Sequence, residues 1–145
     1  MAPKILMSSL SSSSTTDHVL FPGISEFGRV LAEMISDAPG ARGAVLSDCK
    51  GEPIDVAYFR SRSNLLDTQL VGAQLSVTIF KLAQTAARWD CDFGVLILEA
   101  EQGSLITTIL SKHYQLSLSL GIDANIARST IAFERAGIEL VELLR

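Results

Sequence analysis

Residues 66–89 read LDTQLVGAQLSVTIFKLAQTAARW, and this stretch decides the architecture. Wound as a helix at about 100° per residue, it carries two apolar stripes. Leu66, Leu70, Ala73, Val77 and Phe80 fall on one side, and Val71, Leu75, Ile79, Leu82 and Ala86 on the other. A polar ridge of Asp67, Gln74, Thr78, Lys81, Thr85 and Arg88 separates them. The opposite ridge is mostly small: Gly72, Ser76, Ala83 and Ala87. A helix resting on one core needs a single apolar stripe. A second stripe needs a second partner, and a chain of 145 residues is short for burying a helix all round. The reading therefore favours another chain, and a protein that works by assembly. The sequence leaves open which stripe meets the core.

Outward from this helix, the pattern alternates between helices and pairs of strands. A first helix is expected over residues 25–37, capped by Ser25 and stopped by Pro39–Gly40. Its stripe is Phe27, Val30, Leu31, Met34 and Ile35. A hairpin follows, with strands at residues 43–46 and 54–59 and a turn at Asp48–Cys49–Lys50–Gly51. Beyond the two-faced helix the period falls to two. Residues 93–99 are nearly all apolar, which suits a strand buried on both faces or paired at an interface. Residues 104–110 and 114–120 form two more strands, the last alternating Leu116, Leu118 and Leu120 with Gln115, Ser117 and Ser119. Asp123 or Asn125 caps a final helix with a stripe of Ile126, Thr130, Phe133, Val141 and Leu144, flanked by Ile131 and Ile138. Gly137 weakens that helix by roughly 1 kcal/mol and allows a kink. The expected fold is an α/β (α+β) sandwich in the order α-β-β-α-β-β-β-α. Its sheet has five antiparallel strands with helices on both faces.

Residues 1–22 read as a disordered, serine-rich tail and residues 23–145 as the domain. The run at residues 8–16 has too little apolar surface to offset the entropy of ordering. Deleting residues 1–20 is accordingly expected to leave thermal stability nearly unchanged.

Composition narrows the function. Net charge is −4 and the isoelectric point about 5.1, so no nucleic-acid footprint is expected. No apolar run reaches the ~20 residues of a membrane span, and the N-terminal stretch lacks a signal-peptide pattern. Two cysteines, Cys49 and Cys91, fit reduced thiols in the cytoplasm better than a disulfide framework. No catalytic set emerges. His18 and His113 have no nucleophile tied to them by a motif. Gly40–Ala41–Arg42–Gly43 lacks the lysine and the hydroxyl of a phosphate loop. Glu99 and Glu101 beside a turn suit solvent, and no cluster has metal-ligand spacing. No cofactor is expected, nor nucleotide binding by the chain itself.

Four stretches carry a resemblance. They are Arg42–Gly43–Ala44–Val45–Leu46–Ser47–Asp48 with Gly51; Leu70–Val71–Gly72–Ala73 with Ile79–Phe80–Lys81–Leu82–Ala83; Gly103–Ser104–Leu105–Ile106 through Leu116, Leu118 and Gly121–Ile122; and the closing helix with Ala127–Arg128. In order and spacing they resemble the Roadblock/LC7 family, of profilin/longin-like fold, over most of residues 25–144. The likeness is to its bacterial members that act beside small Ras-like GTPases in gliding motility. The serine-rich tail lies outside the family pattern.

The resemblance implies a homodimer in which middle helices pack antiparallel and third strands pair edge to edge. On this sequence that assigns the interface to Val71, Leu75, Ile79, Leu82, Ala86, Phe93, Val95 and Ile97. It implies no catalytic residue. The expected role is a non-enzymatic cytoplasmic regulator or adaptor of a small GTPase in polarity or motility. The alternative is a scaffold for another Roadblock dimer or polarity protein that leaves GTP turnover untouched. A small PAS- or GAF-type sensor domain is a third reading, against which no convergent polar set is seen in the expected core. Gln74, Thr78, Lys81, Thr85 and Arg88 are the expected partner-binding ridge. They read equally as a solvated face, with the partner then sitting against the first and last helices near Arg128, Arg135 and Glu139.

Overall fold

The computed structural model describes residues 4–6, 19–21 and 25–145. Among these residues three helices, α1 (Glu26–Asp37), α2 (Leu65–Arg88) and α3 (Ile126–Leu143), enclose one antiparallel sheet. Its strands are β1 (Lys4–Leu6), β2 (Val19–Phe21), β3 (Ala41–Asp48), β4 (Pro53–Phe59), β5 (Val95–Ala100), β6 (Gly103–Ser111) and β7 (Tyr114–Gly121). They lie in the order β1-β2-β4-β3-β7-β6-β5. The expected α-β-β-α-β-β-β-α order holds from α1 onward, with five antiparallel strands in that part of the sheet.

The sheet is wider than expected. β2 pairs with the outer side of β4, Val19 opposite Phe59, and β1 pairs with β2. Val19 is fully buried in the main core. The apolar triplet at residues 19–21 is therefore a strand rather than part of a tail. Three residues are too few to show a period, so pattern alone does not reveal it. The serine run at residues 8–16 and His18 lie outside the described residues.

The alternation in β7 sorts the two faces. Leu116, Leu118 and Leu120 join Ala44, Leu46, Ala57 and Ile106 in the main core, under Leu31, Ile35, Phe133 and Leu140 of α1 and α3. Ser25 starts α1 by accepting a hydrogen bond from the Gly28 amide at 3.1 Å. Its hydroxyl also donates to Asp55 of β4. Arg29 binds Glu26 and Glu33 on its own helix and Glu139 of α3 at 2.6 Å. Hydrogen bonds from Glu139, then Glu26 and Glu33, raise the guanidinium above its usual range. These groups are partly exposed, so the stabilisation is small.

α3 differs in phase from the expected stripe. Its buried residues are Ser129, Ala132, Phe133, Ala136 and Leu140. Small side chains let the helix settle closely, which rotates Ile131 and Ile138 outward; they are 52% and 70% exposed. Asn125 is the cap, accepting from the Arg128 amide at 3.0 Å. The helix runs unbroken through Gly137.

The other face of the sheet belongs to α2, and it is polar as well as apolar. Gln115 and Ser117 of β7, Thr107 of β6 and Ser47 of β3 are buried beneath it. Gln115 donates from Nε2 to Thr107 at 2.7 Å and also to Ser117. The Thr107 hydroxyl donates to the Leu116 carbonyl at 3.0 Å. The hairpin turn secures the middle of α2. Asp48 accepts the amides of Lys50 and Glu52, each at 2.9 Å, and its carbonyl accepts the Ser76 hydroxyl at 2.7 Å. Gly51 closes the turn at φ +87, a left-handed conformation that favours glycine.

Two of the helical glycines, Gly72 and Gly137, make opposite predictions. A Cβ on Gly72 would lie 2.6 Å from both Val45 Cγ1 and Ser47 Oγ, and valine is stiff at χ1. Gly72→Ala should lower stability by about 1–3 kcal/mol through overpacking, less the gain in helix propensity. A Cβ on Gly137 meets only Leu110 Cδ2, at 3.6 Å, so Gly137→Ala should raise stability by up to about 1 kcal/mol. Urea denaturation of both variants reads the two signs; equal signs would refute the packing argument. Deletion of residues 1–21 should cost about 1.5–3 kcal/mol for loss of the buried Val19 alone. An unchanged melting temperature would show that β2 does not contribute to the core.

Candidate functional site

α2 is well made at both ends. Asn64 accepts the Asp67 amide at 2.8 Å and donates back to the Asp67 carboxylate at 2.9 Å. At the C-terminus Asp90 takes a left-handed φ of 54. There the Cys91 amide donates to the Ala86 carbonyl at 2.9 Å and the Asp90 amide to the Ala87 carbonyl at 3.2 Å. This is a Schellman cap built without glycine. Asp67 in the first turn and Arg88 in the last complement the helix dipole.

The side of α2 that meets the sheet is Thr68, Gly72, Leu75, Ser76 and Ile79. Two residues expected at an interface with another chain, Leu75 and Ile79, thus lie inside the protomer. The contact is centred on the small ridge, and these two leucine-sized side chains flank it. A side chain already enclosed has no surface left for a second chain, so both leave the interface assignment. Val71, Ala86 and Phe93 are half-buried, while Leu82, Val95 and Ile97 are exposed.

The stripe of Leu66, Leu70 and Val77 faces outward instead, at 63%, 47% and 47% exposure. The signal was in the sequence: Gly72 and Ser76 mark the side on which a helix can approach a sheet most closely. Gln74, Thr78, Lys81, Thr85 and Arg88 are all exposed. Thr78 and Thr85 turn their hydroxyls back to the Gln74 and Lys81 carbonyls, each at 3.1 Å. Gln74, Lys81 and Arg88 are left as the long polar side chains of the ridge.

β5 completes the surface. Among the described residues it is the last strand of the sheet and pairs only with β6. Val95, Ile97 and Leu98 are exposed along it. Register places Leu96 and Leu98 opposite Thr107 and Leu105, on the α2 side, and Val95 and Ile97 opposite Thr108 and Ile106, on the α3 side. An apolar edge strand without a proline, bulge or charge before Glu99 is a template for strand pairing.

Other candidates resolve into structure. Arg42 donates to the Gln102 carbonyl and Arg62 to the Ala41 carbonyl, each at 2.9 Å. Arg62 also stacks 4.7 Å over Phe59. The glycine-bearing stretch at residues 40–43 leads into β3. Cys49 and Cys91 are free thiols, half-buried and exposed. Among the described residues no His/Cys/Asp/Glu group is placed to hold a metal. None of their helices is long and apolar enough to cross a membrane.

Solved structures share this arrangement. An MglB described as having a tetrameric arrangement superposes with a TM-score of 0.72 at 19% identity, covering 80% of this chain and 85% of that one. MglB from Myxococcus xanthus gives 0.72 at 16% identity over 83% and 96%. A Roadblock/LC7 domain from Streptomyces avermitilis gives 0.71 at 16% over 83% and 98%. The chain has the Roadblock/LC7 fold. No family model and no curated protein matches its sequence.

The two stripes of α2 should respond differently to truncation. Ile79→Ala removes a fully buried side chain and should cost about 2–5 kcal/mol. Leu70→Ala, on the outer face, should change the stability of an isolated protomer by less than about 0.5 kcal/mol. Comparable losses in dilute solution, below any self-association, would place both residues in one core.

Proposed function

We propose that this Roadblock-fold chain is a homodimeric, non-enzymatic regulator or adaptor of a small Ras-like GTPase, acting in cell polarity or motility in the cytoplasm. The observation that carries the reading is the apolar edge strand β5, together with exposed Leu82 on the flank of α2 that carries Val71 and Ala86. In the proposed dimer two β5 edges pair and two α2 helices pack antiparallel. The interface comprises Leu82 on α2, with Val71 and Ala86 at its base, and Phe93, Val95, Ile97 and Leu98 in and before β5. Isologous contacts of this kind resemble a core cut in half.

The GTPase would meet the α2 ridge of Gln74, Thr78, Lys81, Thr85 and Arg88. Lys81 and Arg88 give that ridge positive charge on a chain of net charge −4, which suits an acidic patch. Any effect on hydrolysis would come from positioning the GTPase's own groups, since phosphoryl transfer depends mostly on positioning and electrostatics. A second reading is a scaffold for another Roadblock protein without effect on turnover. The tetrameric arrangement of the similar MglB favours it.

Sedimentation at micromolar concentration should give a dimer. Leu82→Glu with Leu98→Glu should weaken it by about a hundredfold or more, two apolar anchors of the interface having been replaced by charge. Lys81→Glu with Arg88→Glu should leave the dimer intact and reduce the association rate with a cognate GTPase, the loss shrinking in high salt. A monomeric wild type would end the dimer reading. Unchanged GTPase binding in the folded double-charge variant would move the partner to the α1–α3 face. Binding without a change in hydrolysis or nucleotide exchange would favour the scaffold.

A further inference from the structure

On the face of the sheet away from α2, a cleft of about 450 Å³ runs between α3 and the β5–β6 edge. Val95, Leu110, Phe133, Gly137, Ile138 and Val141 give it an apolar lining. We propose that this cleft is a second docking site, and that its occupant is an amphipathic helix with basic side chains flanking its apolar face.

Three observations support that occupant. Ile138 stands on the lip of the cleft at 70% exposure, and Ile131, exposed on the same line of α3, precedes it by seven residues. That is a rise of about 10.5 Å, the spacing at which a helix laid alongside would interdigitate. Gly137 lines the cleft although nothing in the protomer requires glycine there, since a Cβ would make only an ordinary contact with Leu110. Bare backbone at that point lets a second helix approach closely, at a standing cost in helix propensity.

Charge selects the flanks. Glu134 and Glu142 line the cleft, and no lysine or arginine does. They are eight residues apart on α3, about 12 Å along its axis, one toward each end of the lip. A second copy of this face would bring Glu134 and Glu142 against the same pair, with Arg145, 3.7 Å from Glu142 in an exposed ion pair, offsetting only part of the repulsion between the carboxylates. Lysines or arginines beside the incoming apolar stripe would meet them favourably, and in a partly desolvated rim such pairs set specificity.

Fluorescence anisotropy with two labelled synthetic helices tests the site. One carries leucines at a and d positions flanked by lysines, and the other has the same leucines flanked by glutamates. The full-length protein should bind the lysine-flanked helix saturably and about tenfold or more tightly than the other. Ile138→Asp should weaken that binding about tenfold or more, even though it adds negative charge. Glu134→Lys with Glu142→Lys should reverse the preference between the two peptides. Circular dichroism checks that each variant is folded. Leu82→Glu with Leu98→Glu, which addresses self-association on the α2 side of the sheet, should leave peptide binding unchanged, because, of the cleft's apolar lining, only Val95 also belongs to the proposed dimer interface. Absent saturable binding, full binding by folded Ile138→Asp, or a preference that survives charge reversal would each overturn the proposal. Ile138→Asp retaining its tight binding would mark the attraction as diffuse charge alone.

Discussion

The approach of α2 to the sheet is the constraint on which the surface depends. Gly72 brings the helix so close to Val45 and Ser47 that a single methyl would collide. Ser76 then reaches the Asp48 carbonyl, and the helix rests on a layer that includes Ser47, Thr107, Gln115 and Ser117. Small and hydroxyl-bearing residues occupy much of the contact, with Leu75 and Ile79 beside them. The remaining large apolar side chains of α2 cannot share that space. Leu66, Leu70 and Val77 stand outside because of how the inside is filled.

Much of this was legible in the sequence. The order of elements, the Ser25 cap, the turn after Asp48 and the Phe27–Ile35 face of α1 all follow from local rules of capping and periodicity. Period two in β7 correctly separated the leucines from Gln115 and Ser117. What it could not give was the fate of the polar side, which lies buried under α2 rather than in water. The choice between the α2 stripes was also beyond periodicity, because both are equally apolar. It is decided by which side allows close approach, a property of glycine and serine that hydrophobic patterning ignores. The same oversight displaced the α3 stripe, where Ser129, Ala132 and Ala136 pack and the larger isoleucines do not.

The two faces of the sheet solve different problems. The α1–α3 face is a conventional apolar core, fastened at its rim by Arg29 and its three carboxylates. The α2 face is thinner and more polar, with one buried amide network. Buried polar networks of this kind define a unique arrangement more than they add stability. The β3–β4 turn supports it directly, so the position of α2 is coupled to the hairpin. Substitutions in that turn should therefore be felt on the outer surface of α2, although none of its residues lies there.

The sheet has two unlike ends. Among the described residues one finishes in β1, three residues long; the other in β5, six residues long and apolar up to Glu99. Short edges offer little backbone for further pairing, whereas long apolar ones invite it. An object with a single adhesive end can join one copy of itself and then has none left to offer. In the dimer proposed above, the β5 edge of each chain would be spent on its one partner, so pairing through that edge would stop at two chains.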